Sequence, residues 1–199
     1  MEIVAVKGQL RPGLGKKVAK SVRNEGRIPC VLYGGDEIVH FSTVLKEIKA
    51  IVYTPDFKVA ELAIDGKSYR AILKEVQWHP VTDNIIHIDF LRLVEGHPIK
   101  IEIPLRFKGV SPGVRAGGKL QQKLRRVLIK AMPEHVVGEM TVDISKLELG
   151  QSIRVRDIVI EEEGVEILNS PGVPVATIEI PRALRSATAA AEKAAGTKK

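Results

Sequence analysis

The chain of 199 residues has a single cysteine, Cys30. One thiol cannot build an internal disulfide framework or a Cys-based zinc cluster, so Cys30 in "IPCVLYGG" reads as a small buried apolar filler. Cysteine usage this sparse points to a reducing cytoplasm. Long apolar runs are missing as well. Mean hydropathy is +0.01, and no stretch approaches the roughly 20 consecutive apolar residues that a membrane-spanning helix needs. The opening "MEIVAVK" has an acid at position 2 and only four apolar residues before Lys7, which is not a secretory signal. There is no nucleophile signature, no glycine-rich phosphate cradle and no repeat at a fixed period. What is present is apolar material, 44% of the chain, enough for one large domain or two modest ones.

Positive charge is also present, and it is not spread evenly. The formal net charge is +7 and the isoelectric point about 9.5, which imply a polyanionic partner only if the cations are concentrated. Residues 1–35 carry seven basic residues against Glu2 and Glu25, and the stretch from Arg182 carries five against Glu192. The chain between them sums to −2. The field lies at the two ends.

Punctuation divides the chain into residues 1–94, residues 95–181 and a tail over 182–199. "VEGHPIK" has the glycine and proline of a linker. After it, Ile99, Ile101, Ile103, Leu105 and Phe107 alternate with polar residues and Pro104, a strand with one buried face whose proline predicts an edge position or a bulge. "EMTVDI", "SIRVRDIVI", "VEIL" and "VPVATIEI" read as further strands, and only "VDISKLELG" as a helical turn. Residues 95–181 are therefore expected to be mostly β. In the first part "IPCVLYGG" reads as a strand, and Asp65-Gly66 joins two more by a type I′ hairpin. "TVLKEIKAIVY" has helical spacing, with Ser42 or Thr43 as N-cap. The fold class is thus mainly β, with a small N-terminal antiparallel β-barrel carrying one or two short helices and a C-terminal mostly-β domain. The tail has nothing larger than alanine after Leu184 to bury and is expected to be flexible.

Two stretches carry candidate function. In "LRPGLGKKVAKSVRNEGRIP", Arg11 to Gly15 forms a loop, and Gly15 to Asn24 fits a short helix closed by Gly26. Val18, Ala19 and Val22 lie on one side, and Lys16, Lys20 and Arg23 cluster on the other, flanked by Arg11 and Arg27. Like charges at i,i+4 destabilise a helix by a few tenths of a kcal/mol, so a neutralising partner explains them better than solvent does, and phosphate is the natural one. In "IIHIDFLRL", strand alternation puts Ile86, Ile88 and Phe90 on one face and His87 and Asp89 on the other, with Ile85 and Leu91. H-x-D alone is a weak signal. A catalytic pair would need a nucleophile, a metal site would need a third ligand for which His79 is the nearby candidate, and a mutually satisfied surface pair would need nothing. RNA reading fits the chemistry. A carboxylate accepts from base N–H groups or a 2′-hydroxyl, and a histidine supplies a donor and an aromatic face. Tyr33 divides between core and contact roles, and Trp78 reads as a packing residue.

Arg11, Gly15 and Lys16, then Arg23, Gly26-Arg27-Ile28-Pro29 and Tyr33-Gly34, followed by Val76-Gln77, His79-Pro80 and His87-Ile88-Asp89-Phe90, resemble the bacterial ribosomal protein L25 family. The likeness is to its long two-domain form, the general stress protein CTC type, and covers all but the tail. The resemblance implies binding to 5S ribosomal RNA at its loop E region, as a structural component of the large ribosomal subunit. The RNA-contact positions it carries over are Arg11, Lys16, Lys20, Arg23, Tyr33, Gln77, His87 and Asp89. The family commonly has a small residue at the place of Lys17, Arg at that of Lys20 and often a second Arg at that of Ser21. Lysine at position 20 keeps the charge but not the planar fork that clasps phosphate. The expected partners are 5S rRNA and other components of the 50S subunit, with no membrane, no cofactor and no metal. The free protein is expected to be monomeric, cytoplasmic and not an enzyme. A stress-linked protein–protein adaptor working through the C-terminal domain is the alternative, and a small RNA-processing enzyme a third reading.

Overall fold

The computed structural model describes residues 2–35, 37–160 and 164–181; the tail expected to be flexible lies outside them. The first part is built from β1 (Glu2–Leu10), α1 (Lys16–Asn24), β2 (Arg27–Tyr33), β3 (Val39–Val44), α2 (Leu45–Val52), β4 (Lys58–Ile64), β5 (Lys67–Trp78) and β6 (Ile85–Arg92). Its strands close a six-stranded barrel in the order β1-β3-β2-β6-β5-β4. The barrel expected from the sequence is there. Four of its ladders are antiparallel, while β1–β4 and β2–β6 run parallel. These parallel pairs join strands far apart in the chain, since a tight hairpin connects only antiparallel neighbours. Inside, Cys30, Leu32, Phe41, Leu62, Ile88 and Phe90 are buried, with the Phe41 and Phe90 rings 5.8 Å apart. Asp65 and Gly66 have φ of 45° and 82°, the two positive values that a type I′ turn requires.

The β5–β6 ladder departs from simple alternation twice. Gln77 faces His87 and Trp78 faces Ile85, so Ile86 is an extra residue on β6, and Lys74 is likewise extra on β5. A bulge shifts the side-chain phase of the strand beyond it. Ile85 is therefore in the core and Ile86 only half-buried, the reverse of the expected faces. Ser42 and Thr43 do not cap α2 either. Both are buried in β3, where Thr43 Oγ1 donates to the Lys7 carbonyl at 2.7 Å. Helix α2 begins after the extended residue Val44, with no side-chain cap.

The second part contains β7 (Ile99–Lys108), α3 (Pro112–Arg115), β8 (Lys119–Gln122), β9 (Arg126–Ala131), β10 (Met140–Asp143), β11 (Ser152–Arg154), β12 (Glu166–Ile167) and β13 (Pro174–Glu179). They form a sheet β10-β7-β9-β12 and a sheet β11-β13-β8. Strand β7 is central in its sheet, but at Pro104 it is paired on one side only, the edge position expected of the proline. Residues up to Pro104 pair with β9, and pairing with β10 begins at Leu105, so the proline sits where the strand changes partner. "VDISKLELG" starts as the end of β10 and continues in turns rather than a helical turn, and "SIRVRDIVI" is a strand only over Ser152–Arg154 before a 3-10 turn. The helical turn that does form, α3, is capped by Ser111 Oγ, which accepts from the Gly113 and Val114 amides. Val59 and Ile72 of the barrel are buried in the core of the second part, beside Ile101, Ile103, Val127 and Ile129. The two parts share apolar surface.

Candidate nucleic-acid interface

Helix α1 forms where the sequence pattern places it, and it lies against β2. Gly15 (φ +102°) opens the helix and Gly26 (φ +74°) closes it, with the Gly26 amide donating to the Arg23 carbonyl. Val22 is buried, Val18 and Ala19 are half-buried, and Lys16, Lys17, Lys20 and Arg23 face solvent. No acidic residue stands in the first turn, so two lysines crowd the positive end of the helix dipole with nothing to offset them. The bulge on β6 holds the other end: Arg23 Nε donates to the Ile86 carbonyl at 3.0 Å.

Beside α1, residues Arg11, Lys16, Arg23, His40 and His87 line a shallow groove of about 450 Å³, together with the apolar Leu14 and Ala19. Four of the residues singled out in the sequence thus converge. Lys20 stands one turn along the same helix, and Gln77 is the cross-strand neighbour of His87. His87 Nδ1 donates to Asp89 Oδ1 at 2.7 Å, both side chains about a quarter exposed (24% and 26%). The ring is therefore fixed, and His87 Nε2 and Asp89 Oδ2 remain for an outside partner. Tyr33 ends β2 half-buried and does not line the groove. Burial, and then the Asp89 and Glu75 carboxylates, push its phenol above its ordinary range, so the hydroxyl stays a donor.

Two other residues take roles that the sequence did not suggest. His40 lines the groove, and its carbonyl accepts from the Arg11 amide at 3.0 Å. The alternation of Val39 and Phe41 inward around it was the available signal. Arg27 is drawn inward, with Nε and Nη2 donating to Ser42 Oγ and the Ser42 carbonyl at 3.2 and 3.1 Å. His79 is occupied too, its Nδ1 accepting from the Val81 and Thr82 amides. Arg11 Nε is buried without an acceptor among the described residues. No group of three or more His, Cys, Asp or Glu gathers to hold a metal ion among the described residues, and no helix there is long and apolar enough to cross a membrane.

These features define a two-part, mainly β protein with a cationic, rigidly framed wall on its barrel, a surface suited to a polyanion. Residues 6–90 match the ribosomal L25p family, and residues 98–182 match the C-terminal domain of ribosomal protein TL5. Among curated proteins, the large ribosomal subunit protein bL25 of Bacteroides fragilis is 42% identical over 177 residues, 89% of each chain. The protein of the same name from Bacteroides thetaiotaomicron is 39% identical over 198 residues, 97% of this chain and all of its own. That of Cytophaga hutchinsonii is 40% identical over 193 residues, again 97% of this chain and all of its own. The chain belongs to the ribosomal L25p family, in its long two-domain form. That membership places it among ribosomal proteins rather than enzymes.

Proposed function

We propose that the chain works in the large ribosomal subunit, as the names of its relatives say of them, and there binds 5S rRNA at its loop E region. Residues 1–94 form the RNA-binding domain, and 95–181 a second domain extending from it. The observation that carries this reading is the convergence of Arg11, Lys16, Arg23 and His87 on one groove. Phosphate contacts fix position and base or sugar contacts carry recognition. The wall separates the two. Among the described residues, every exposed charge in the groove on the α1 side is positive, and Arg11 Nε lacks an acceptor. On the strand side Asp89 pairs across the ladder with Glu75, and two carboxylates repel a phosphate.

The RNA backbone then runs over α1, while base edges and 2′-hydroxyls face β6 and β5. Asp89 Oδ2, an acceptor only, takes a guanine N–H or a 2′-hydroxyl, His87 Nε2 and Gln77 add polar contacts, and the Tyr33 hydroxyl donates. Gradient sedimentation of the protein with 50S particles tests this reading. Co-migration that is lost with Lys16→Ala and Arg23→Ala together is the expected result. Protein that stays at the top of the gradient removes the proposal.

A further inference from the structure

A second groove, of about 390 Å³, lies at the C-terminal end of α1, and Arg23 lines both. Its floor is apolar, with Ile28 and Ile85 buried beneath it, and Leu45 stands exposed at its rim. Tyr53 forms an aromatic wall. Trp78, expected to be a packing residue, is instead 41% exposed and meets Tyr53 edge-on, with ring centroids 5.8 Å apart at 73°. Polar groups surround this wall. His79 is held by its Nδ1 acceptor role, which leaves its proton on Nε2 when neutral. Asn84 contributes a side-chain amide, and Arg27 is held in position by Ser42. Among the described residues, none that lines the groove is acidic.

We infer that this groove binds an unpaired RNA nucleotide, its base stacked on Tyr53 and its phosphate drawn to Arg23 and Arg27. Every base has a π-face, and aromatic side chains beside a cationic track are how proteins hold single strands. An apolar floor with an exposed aromatic would also suit a protein segment. The two arginines, the absence of any carboxylate and the continuity with α1 through Arg23 favour the nucleotide. The inference deepens the proposed RNA-binding role and rests on it. It adds a second strand contact that the first groove does not make.

The chain has one tryptophan. Trp78 lines the neighbouring pocket rather than this groove, but its contact with Tyr53 makes its emission a reporter of the groove's aromatic wall in the full-length protein. Titration with a short oligoadenylate should quench it saturably. Tyr53→Ala should weaken binding of the labelled oligomer about tenfold or more, read by anisotropy, and Asn84→Ala should weaken it several-fold. Tyr53 and Asn84 are both exposed, and circular dichroism checks that both variants fold. Oligoadenylate that leaves Trp78 emission unchanged, or binds Tyr53→Ala as tightly as the parent, overturns the inference and leaves the aromatic pair as a face for a protein. Inorganic polyphosphate competing as well as oligoadenylate also overturns it, because charge alone would then suffice. Lys16→Ala, assayed separately against 5S rRNA, reads the first groove. Its failure to weaken 5S binding would count against the proposed function while the Tyr53 result still decides the second site.

Discussion

The two parts of this molecule carry similar densities of positive charge, but only the first gathers it on one helix. Residues 95–181 hold 12 basic and 12 acidic residues, and several of the cations stand beside carboxylates. Arg106 contacts both Asp56 and Glu139, Lys123 contacts Glu179, and Lys130 contacts Glu166. On α1, by contrast, none of Lys16, Lys17, Lys20 and Arg23 pairs with a carboxylate among the described residues. Self-repulsion on a nine-residue helix is tolerated because α1 is held from outside itself, by Val22 packing beneath it and by the Arg23–Ile86 hydrogen bond. The mark of a polyanion surface is therefore cations gathered together on one rigid helix with no carboxylate among them, more than their number.

Salt should expose this contrast most strongly. Four cations, Arg11, Lys16, Lys20 and Arg23, line or flank the first groove, whereas the Ser42-held Arg27 lies at the second. At about 0.7 to 0.9 counterions released per contact, log K for 5S rRNA should fall with log salt at a slope of about −3, roughly a thousandfold per decade of salt. Residues 95–181 alone should show a slope near zero. Residues 1–94 alone should keep the slope yet unfold more easily, because Val59 and Ile72 lose the cover of the second part. Uncovering two such side chains costs about 3 kcal/mol, measurable by urea denaturation. Equal slopes for the two halves would erase the comparison.

Asp89→Asn comes next in size. The substitution turns one acceptor oxygen into a donor, and leaving an RNA donor unpaired costs about 1–3 kcal/mol. Affinity for 5S rRNA should drop about tenfold in filter binding. Affinity for an unrelated duplex should stay level or rise, since a negative charge near phosphates is gone. An equal fall on both RNAs would make the His87–Asp89 pair structural rather than a reading element.

How much of this was legible in the chain follows from how local each determinant is. Helix α1 was readable because Gly15, Gly26 and the one-sided lysines all lie within a dozen residues, and so was the Asp65-Gly66 turn. His87 and Asp89 were placed on the outer wall by simple alternation. The same alternation misplaced Ile85 and Ile86, because the bulge is a property of the β5–β6 pairing and leaves no trace in β6 itself. Strand β9 escapes the alternation rule because the apolar Leu128 stands half-buried on the outer face between the buried Val127 and Ile129. Ser42 resembled a helix cap and proved to be the partner of Arg27, 15 positions away. His40 joins the groove only once β3 lies beside β2.

Lys20→Ala should have a smaller effect. It removes an unpaired cation that lies beside the first groove without lining it. Binding should weaken several-fold to all RNAs alike, and the salt slope should flatten by about one unit. A loss confined to 5S rRNA would show that Lys20 reads a specific feature instead of supplying charge.

Arg106→Ala should change least. Its guanidinium meets Asp56 Oδ1 at 2.6 Å and Glu139 Oε2 at 3.3 Å, which links the segment after α2 to the second part. The geometry is good, but all three side chains are about half exposed (53%, 49% and 58%). Exposed pairs of this kind contribute about 0–1 kcal/mol after screening and lost side-chain entropy. The buried contact of Val59 and Ile72 with the second part persists in the variant and continues to join the two parts. Thermal stability should therefore fall by no more than a few degrees, and 5S affinity and its salt slope should stay at the parent values. A variant that loses tenfold in RNA affinity would show that a cation already paired with two carboxylates still acts on the RNA, and pairing would then no longer separate the two surfaces.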